Sequence, residues 1–341
     1  MTEDERYMMR CLQLAQMGAG YTSPNPMVGA VIVHKGEIIG EGYHRKYGEA
    51  HAEVNAINSV ADKSLLSEAT LYVNLEPCSH WGKTPPCADL IVKHRLKKCV
   101  IANRDINPKV NGGGIKKLTD NGIEVVCGVL EEEARFVNRR FFTNHTKGRP
   151  YVIIKYAKSR DGYLAPSKGN EWISNEAMRV WVHKQRMEED AIMAGYNTIV
   201  KDNPRLDVRH YYGNNPTRVV WDRNLSLDRS LNVLDNSRRT IVFNLEKDAV
   251  EGMNTYVRIN EKDGVEEQIL DRLFDHGIRS LIVEGGRKTI DGFLSKGLWD
   301  QANIITGKKV FHSGIKAPDI PNGFSHSCTI GEDILEFYYN E

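Results

Sequence analysis

Residues 51–53 read His-Ala-Glu, and residues 77–87 read Pro-Cys-Ser-His-Trp-Gly-Lys-Thr-Pro-Pro-Cys. These two segments supply one imidazole, from His51, and two thiols, from Cys78 and Cys87. Imidazole nitrogen and thiolate sulfur are ligands that zinc prefers, and a catalytic zinc with three protein ligands keeps its fourth position open for water. The two segments therefore predict a catalytic zinc site made of His51, Cys78 and Cys87.

Glu53 lies two residues after the predicted ligand His51. A carboxylate at this place suits a reaction in which a zinc-coordinated water loses a proton and a leaving amine gains one. The signature of zinc nucleobase deaminases is His-x-Glu followed by Pro-Cys-x-x-Cys, in which the glutamate is the general acid and base. This chain departs from that signature, because eight residues instead of two separate Cys78 from Cys87. Residues two apart on a regular helix do not share a face. We therefore expect His51 at the non-helical cap of a helix, so that Glu53 also reaches the water.

The same three ligands are also compatible with a structural zinc site, which would need a fourth protein ligand. The candidates for that ligand are His80, His44 and His94. We favour the catalytic interpretation, because a purely structural site gives Glu53 no role.

Length and charge limit the classes of protein to which the chain can belong. Its 341 residues suffice for two domains, each with its own core. The 46 basic and 45 acidic residues leave a net charge of +1, so no basic field favours a nucleic-acid or membrane partner. We expect a small-molecule substrate and a homo-oligomer.

The cysteines and the first residues indicate where the protein works. The chain starts with acidic residues instead of the apolar run of a signal peptide, and no stretch approaches the roughly 20 apolar residues of a membrane-spanning helix. A cytoplasmic location is therefore expected. Six widely spaced cysteines are too few for a disulfide framework. We interpret the four outside the zinc pattern, Cys11, Cys99, Cys127 and Cys328, as reduced packing residues.

Hydrophobic periodicity predicts alternating strands and helices in the first half, which is typical of a layered α/β/α domain. An amphipathic helix over residues 7–15 would be capped by Asp4 and end at Gly18 or Gly20. Helices that start at His51 and Cys87 would direct the positive end of their dipoles to the metal site. The other predicted elements are a β-hairpin at 28–33 and 38–43, helices at 51–60, 87–93 and 130–142, and strands at 71–75, 99–102 and 123–126.

Two glycine-rich turns could bind phosphate groups. Gly112-Gly113-Gly114 precedes a predicted helix, but three glycines there are as often a plain turn, which we favour. Glu284-Gly285-Gly286 ends a predicted strand and precedes a helix at 288–294, whose backbone N–H groups could hold cofactor phosphates. A tight strand-to-helix turn is the alternative. Because no G-x-G-x-x-G follows a strand, a Rossmann domain is not supported.

A polar break at residues 143–150 separates the two halves, and we place the domains at 1–146 and 147–341. The second half is again predicted to be α/β. Its strands are predicted at 151–155, 191–194, 218–221, 240–243 and 280–283, and its helices at 176–187 and 266–274.

Residues 77–87, with residues 22–29 and 48–50, resemble the deaminase half of the bifunctional deaminase-reductase family of riboflavin biosynthesis. Residues 155–162, 172–174, 195–209 and 283–286 are similar to its reductase half. The resemblance implies a cytidine-deaminase-like domain followed by a dihydrofolate-reductase-like α/β domain. It also implies zinc-dependent deamination of 2,5-diamino-6-ribosylamino-4(3H)-pyrimidinone 5′-phosphate, and then NADPH-dependent reduction of the ribosyl side chain to ribityl.

The resemblance further implies site residues. Implied substrate contacts of the deaminase half are Asn25, His44, His80, Lys83, Asp105 and Asn107, with Lys83 the best phosphate candidate as a mobile point charge. Implied NADPH contacts are Ala157, Trp172, Thr198, Asp202, Arg223 and the run Gly286, Arg287, Lys288, Thr289, Ile290, Asp291 and Gly292. Implied substrate contacts of the reductase half are Asn170, Arg186, Leu206, Arg209 and Glu284, with Arg186 and Arg209 as a fork for the sugar phosphate.

Two other functions remain as alternatives. One is a zinc deaminase of a free nucleoside or a tRNA base, with a non-catalytic C-terminal domain. The near-neutral charge and the eight residues between Cys78 and Cys87 argue against it. The other is a binding module that zinc merely stabilises, in which replacing Glu53 with glutamine would leave function intact.

Overall fold

A computed structural model describes residues 1–81, 85–107, 112–169, 171–321 and 323–340. The chain divides into two compact units, Met1–Lys147 and Gly148–Glu341. In the described ranges, no helix combines the length and the apolar character that crossing a bilayer requires.

The first unit is built around a sheet with helices on both faces. Its elements in the described residues are α1 (Glu3–Gln16), β1 (Gly29–His34), β2 (Glu37–Tyr43), α2 (Ala52–Ser59), β3 (Thr70–Leu75), α3 (Cys87–Lys93), β4 (Lys98–Asn103), α4 (Gly113–Asp120), β5 (Glu124–Cys127), α5 (Glu131–Val137) and α6 (Arg139–Lys147). The strand order is β2-β1-β3-β4-β5, with β1 antiparallel to both neighbours and β3, β4 and β5 mutually parallel.

Buried side chains on both faces of the central strands explain why this sheet is a middle layer. Successive residues of a strand point to opposite faces. Ile32 packs with residues of α2 and α3, whereas its neighbour Val31 packs with residues of α1 and α5. The predicted α/β/α layering is thereby confirmed.

The start of α1 differs from the prediction. Thr2, not Asp4, is the N-cap: its hydroxyl accepts the backbone N–H of Glu5 at 3.2 Å, and the Glu5 carboxylate accepts the N–H of Thr2 at 2.7 Å. This reciprocal pair is a capping box, which satisfies two donors at once and places Asp4 in the first turn. The helix ends at Gln16, before Gly18.

The helix predicted over residues 130–142 is wrong in extent. It breaks at Asn138, where φ is −97° and ψ is 21°. The Asn138 side chain accepts the N–H of Met27 at 2.8 Å and donates to the Met27 carbonyl at 2.9 Å. Asparagine side chains that bond to backbone groups elsewhere compete with helix formation. The second helix, α6, then continues to Lys147, so the predicted polar break at 143–150 is helical up to that residue.

The second unit is a mixed α/β domain, as predicted. Its elements in the described residues are β6 (Tyr151–Lys158), β7 (Tyr163–Pro166), α7 (Glu176–Glu188), β8 (Ala191–Gly195), α8 (Tyr196–Asp202), β9 (Thr217–Trp221), β10 (Thr240–Asn244), β11 (Ala249–Glu251), β12 (Asn254–Arg258), α9 (Val265–Asp275), β13 (Ser280–Glu284), α10 (Arg287–Ser295), β14 (Gln301–Thr306), β15 (Gly314–Lys316), β16 (Phe324–Ile330) and β17 (Asp333–Tyr339).

The main sheet of this unit has the order β11-β12-β10-β9-β8-β13-β6-β14-β17-β16 in the described residues, and β15 pairs separately with β7. The strands from β12 to β14 in this order are mutually parallel. Their carboxyl ends therefore lie at one edge of the sheet, which is where ligands bind in open α/β sheets.

All six cysteines are unpaired. Cys11 and Cys99 are buried, as expected of packing residues. Cys127 and Cys328 are exposed, so the packing interpretation is wrong for these two. Cys127 ends β5, and Cys328 lies on the edge strand β16, where no further strand covers it among the described residues.

Candidate functional site

His51 is the N-cap of α2, with an extended backbone at φ −73° and ψ 167°. The predicted position of His51 at the non-helical cap is thereby confirmed. Glu53 lies in the first turn of α2, so the bend between cap and helix lets both side chains face the same region.

The two cysteines lie on a loop that leaves β3 and enters α3. Cys87 is the first residue of α3, as predicted. Its backbone N–H donates to the Cys78 sulfur at 3.3 Å, and the N–H of Ala88 donates to the Cys78 carbonyl at 3.1 Å. These two bonds close the loop and bring the two sulfurs to the helix start. Lys83, on the same loop, lies outside the described residues.

The three candidate ligand atoms form a compact group. The His51 Nδ1 atom lies 3.5 Å from the Cys78 sulfur and 3.3 Å from the Cys87 sulfur, and all three ligand atoms lie within 4.8 Å of one another. A tetrahedral zinc with typical Zn–N and Zn–S bond lengths separates nitrogen from sulfur by about 3.6 Å. The ligand spacing therefore fits a zinc ion.

None of the three histidines proposed as a fourth ligand joins this group in the described part of the chain. The two ring nitrogens of His44 face the Ala50 carbonyl at 3.1 Å and the Asn25 side-chain nitrogen at 3.2 Å. His94 is the C-cap of α3. His80 has a buried Nδ1 without a hydrogen-bond partner among the described residues. Among the described residues, the group therefore offers three protein ligands and not four.

Hydrogen bonds and burial shift the pKa values of the candidate ligands and of Glu53. A hydrogen bond from Cys87, and another from His51, lower the pKa of the Cys78 thiol, although burial opposes them. The same hydrogen bond between the two thiols, together with burial, raises the pKa of the Cys87 thiol. Glu53 is 3% exposed, and burial raises the pKa of its carboxyl group to about 7, with the nearby Cys78 adding to the effect. A carboxylate that changes protonation near neutral pH suits general acid-base chemistry.

The structure brings some of the implied deaminase contacts together. Asn25 bonds to His44, whose ring meets the His51 ring edge-on at a centroid distance of 5.3 Å. Asp105 accepts the backbone N–H of Asn107 at 2.8 Å, and burial raises the pKa of Asp105 to about 6.

Gly112-Gly113-Gly114 does form a turn at the start of α4, with Gly112 at φ +84°. The N–H groups of Gly112 and Gly114 donate to the buried carboxylate of Glu76. Because these donors are already used, the turn interpretation is supported over a phosphate cradle.

Several implied NADPH contacts lie at the carboxyl edge of the second sheet. Thr198 is on α8, directly after β8, and Arg223 follows β9 and pairs with Glu261 at 2.6 Å. Residues 286–292 follow β13, where Gly285 and Gly286 have φ values of +82° and +79°. A Cβ on Gly286 would lie only 3.3 Å from Thr198 Oγ1. Backbone without side chains at this edge fits the close approach of a dinucleotide phosphate.

The other implied cofactor contacts are less tightly grouped. Ala157 is half-buried on β6, and Asp202 ends α8. Trp172 is 65% exposed, with the Arg179 guanidinium 5.5 Å from its ring centre. Within the 286–292 run, the Arg287 side chain pairs with Asp291 at 2.6 Å. Asn170 lies outside the described residues.

The implied reductase substrate contacts form an ionic cluster. Arg186 donates to both Glu284 oxygens, at 2.9 and 2.7 Å, and to the Asp207 carbonyl at 3.0 Å. Arg209 pairs with the Asp207 carboxylate at 2.5 Å. Leu206 is buried, with φ at +48°. The Arg186 guanidinium is therefore held by Glu284 and Asp207 rather than presented as a free fork.

Two buried charged residues at these sites were not predicted. Lys155, on β6, lies 3.6 Å from Glu284, and both side chains are 12% exposed. Glu76 follows β3 and is 3% exposed. The signal for Lys155 was a charged residue within the otherwise apolar first part of the strand Tyr151–Lys158. The signal for Glu76 was a charged residue directly after the strand Thr70–Leu75.

Two family models match the chain. One describes the cytidine and deoxycytidylate deaminase zinc-binding region and matches residues 1–103. The other describes the RibD C-terminal domain and matches residues 150–332.

Similar proteins match nearly the whole chain. Riboflavin biosynthesis protein RibD of Aquifex aeolicus is 39% identical over 93% of this chain and 90% of its own length. The Escherichia coli RibD protein is 35% identical over 91% of this chain and 89% of its own length. A crystal structure described as a diaminohydroxyphosphoribosylaminopyrimidine deaminase/5-amino-6-(5-phosphoribosylamino)uracil reductase from Thermotoga maritima is 37% identical, covers 99% of both chains and superposes with a TM-score of 0.91.

Proposed function

The chain belongs to the riboflavin biosynthesis protein RibD family, and from this membership we infer that its two domains catalyse consecutive steps of one pathway. The enzyme is bifunctional, with a zinc-dependent deaminase reaction and an NADPH-dependent reductase reaction. Both family models are matched on one chain, so the alternative of a nucleoside or tRNA-base deaminase with a non-catalytic second domain is not supported.

We propose that residues 1–146 deaminate 2,5-diamino-6-ribosylamino-4(3H)-pyrimidinone 5′-phosphate, with His51, Cys78 and Cys87 as zinc ligands. Zinc, when bound, lowers the pKa of a coordinated water toward neutrality. Glu53 accepts a proton from the attacking water and returns it to the departing amine, so that water is consumed, the ring carbon becomes a carbonyl and ammonia leaves. The ligand spacing of 3.3 and 3.5 Å is the observation that carries this assignment.

For the same reaction we propose Asn25, His44, His80, Lys83, Asp105 and Asn107 as substrate contacts. The His44 ring lies against that of the zinc ligand His51 and is oriented by Asn25. The Nδ1 atom of His80, which has no hydrogen-bond partner among the described residues, offers a further hydrogen-bonding atom.

We propose that residues 147–341 reduce the ribosyl group, with NADPH as hydride donor. Its proposed contacts are Ala157, Trp172, Thr198, Asp202, Arg223 and residues 286–292. Gly285 and Gly286 follow β13, and a Cβ on Gly286 would lie 3.3 Å from Thr198 Oγ1, so the bare backbone there supports a phosphate position. For the sugar phosphate and ribose we propose Asn170, Arg186, Leu206, Arg209 and Glu284. Arg186 and Arg209 lie in one ionic cluster with Glu284 and Asp207, so a phosphate would have to displace the carboxylate contacts of the two arginines.

Three further proposals concern the setting of the enzyme. We propose a cytoplasmic location, since all six cysteines are unpaired. The net charge of +1 supports a small-molecule substrate and no nucleic-acid partner. We propose a homo-oligomer, because β16 is an edge strand whose residues are almost all exposed, which favours pairing with a second chain. Light scattering that finds only monomers would contradict the last proposal.

The test uses the purified protein and the phosphoribosyl diaminopyrimidine, with ammonia and NADPH oxidation followed together. Wild-type protein should release ammonia and then oxidise NADPH. Glu53→Gln should retain zinc, release no detectable ammonia, and still oxidise NADPH when the deaminated intermediate is supplied. Glu132→Gln, an exposed carboxylate on α5, is the matched control and should behave as wild type. Ammonia release by Glu53→Gln at the wild-type rate would refute the role of Glu53.

A further inference from the structure

Glu76 is a buried carboxylate two residues before the proposed zinc ligand Cys78. It follows β3, and its backbone N–H donates to the Asn103 carbonyl at 2.9 Å. Burying a carboxylate is unfavourable unless hydrogen bonds compensate it. The hydrogen-bond partners of Glu76 therefore show which segments of the chain its side chain connects.

Each oxygen of Glu76 accepts two backbone N–H groups. Oε2 accepts from Asp105 at 3.2 Å and Gly112 at 3.1 Å. Oε1 accepts from Gly114 at 2.9 Å and Ile115 at 3.1 Å. One side chain thus joins the zinc-ligand loop to the segment at Asp105 and to the first turn of α4.

The glycines of α4 make this arrangement possible. A Cβ on Gly114 would lie 2.0 Å from the Pro77 carbonyl oxygen, and a Cβ on Gly113 would lie 2.6 Å from the Ser79 hydroxyl. Real Cβ atoms do not approach other atoms so closely, so only glycine lets α4 reach the loop. The close approach is independent of the hydrogen bonds and brings together the same two segments.

We propose that Glu76 is a positioning residue of the deaminase site. It fixes the distance between the loop that carries Cys78 and the segment that carries Asp105 and Asn107. This inference rests on the proposed deaminase function, in which Asp105 and Asn107 contact the substrate. Glu76 acts through Asp105, because its Oε2 holds the Asp105 backbone. A displacement of about 1 Å at such a site is enough to reduce activity a hundredfold.

Glu76→Gln is the informative change, because it keeps the size of the side chain but replaces one acceptor oxygen with an NH₂ donor. One pair of backbone N–H groups would then face a donor instead of an acceptor. We expect the KM for the pyrimidine to rise at least tenfold with one zinc still bound per chain. NADPH oxidation with the deaminated intermediate should stay at the wild-type rate.

A double-mutant cycle separates positioning from a general structural role. If Glu76 acts through Asp105, Glu76→Gln should raise KM by a clearly smaller factor in an Asp105→Asn background than in the wild type, because the effects of coupled residues are not additive. Asp222→Asn is the matched control. The Asp222 carboxylate is buried in the other unit and accepts the N–H groups of Ser226 and Leu227 at 3.0 Å each. Its loss should lower thermal stability and leave deaminase kinetics unchanged.

Three results would overturn the inference: wild-type KM and kcat in Glu76→Gln, the same fold-change in KM in both backgrounds, or loss of zinc from Glu76→Gln, which would assign Glu76 to folding of the loop. Absence of ammonia release by wild-type protein is a different result. It would count against the proposed function itself before any variant is measured.

Discussion

Replacing Glu284 with glutamine should destabilise the second unit, because Glu284 neutralises two buried cations. Its oxygens accept from Arg186 at 2.9 and 2.7 Å, and Lys155 lies at 3.6 Å. All three side chains are 12% exposed. Removing one partner of a buried ion pair leaves an uncompensated charge.

The pKa of Glu284 gives the size of this effect. Burial alone would raise the pKa, but Arg186 and Lys155 outweigh burial and lower it from 4.5 to about 2. At 1.36 kcal/mol per pKa unit, this shift corresponds to roughly 3 kcal/mol of stability at neutral pH. For a unit of this size the melting temperature should fall by about 6–12 °C. Burial also lowers the pKa of Lys155, which offsets part of the stabilisation.

Urea unfolding of the wild-type protein and of Glu284→Gln at several pH values tests the reasoning. Because the folded-state pKa is lowered, the stabilisation is present above pH 4.5 and is lost as the pH falls toward 2. The difference in the free energy of unfolding between wild type and Glu284→Gln should therefore have its full size at pH 7 and decrease below pH 4.5. Glu332→Gln is the control, since its pair with Lys308 is exposed and contributes at most about 1 kcal/mol. Equal stability of the two variants at pH 7, or a gap that does not change with pH, would refute the argument.

Three further predictions concern other contacts. Gly114→Ala should cost about 1–3 kcal/mol by overpacking against the Pro77 carbonyl and should weaken zinc retention, and an unchanged urea midpoint would contradict this. Arg149→Met should cost about 3–5 kcal/mol in urea unfolding, because Asp300, with its side chain 4% exposed, loses its bidentate partner; a loss below 1 kcal/mol would exclude that role. Zinc removal by a chelator should stop ammonia release while reduction of supplied deaminated intermediate continues, and ammonia release from the zinc-free protein would argue against metal dependence.

The sequence predicted best where the signal is local. The helices at His51 and Cys87 and the strand between them were confirmed, because periodicity and spacing specify them over a few residues. The cap position of His51 followed from helix geometry and from the expectation that both His51 and Glu53 reach the metal site. The break at Asn138 could not be predicted, because its cause is a pair of hydrogen bonds to Met27, 111 residues away.

Charged residues of the sites were harder to interpret for the same reason. Arg186 was expected to form a fork for phosphate, yet its nearest charged partner is Glu284. Lys155 pairs in register with Glu284 across β6 and β13, strands that lie far apart in sequence. The C-terminal hairpin of β16 and β17 was not predicted either. The run Phe324–Ile330 is exposed over nearly its whole length, and four of its seven residues are polar, so the apolar signal of a strand is weak there.

The pair of hydrogen bonds between Asn138 and Met27 affects where the chain could be cut to express the deaminase unit alone. Phe141 and Phe142, on the following helix, pack with Leu75, next to the loop of the metal ligands. A truncated first half that stopped at residue 103, where the match to the deaminase model ends, would lack these two hydrogen bonds and both phenylalanine rings. A separately expressed deaminase should therefore extend through Lys147, so that the packing of Phe141 and Phe142 on Leu75 is kept.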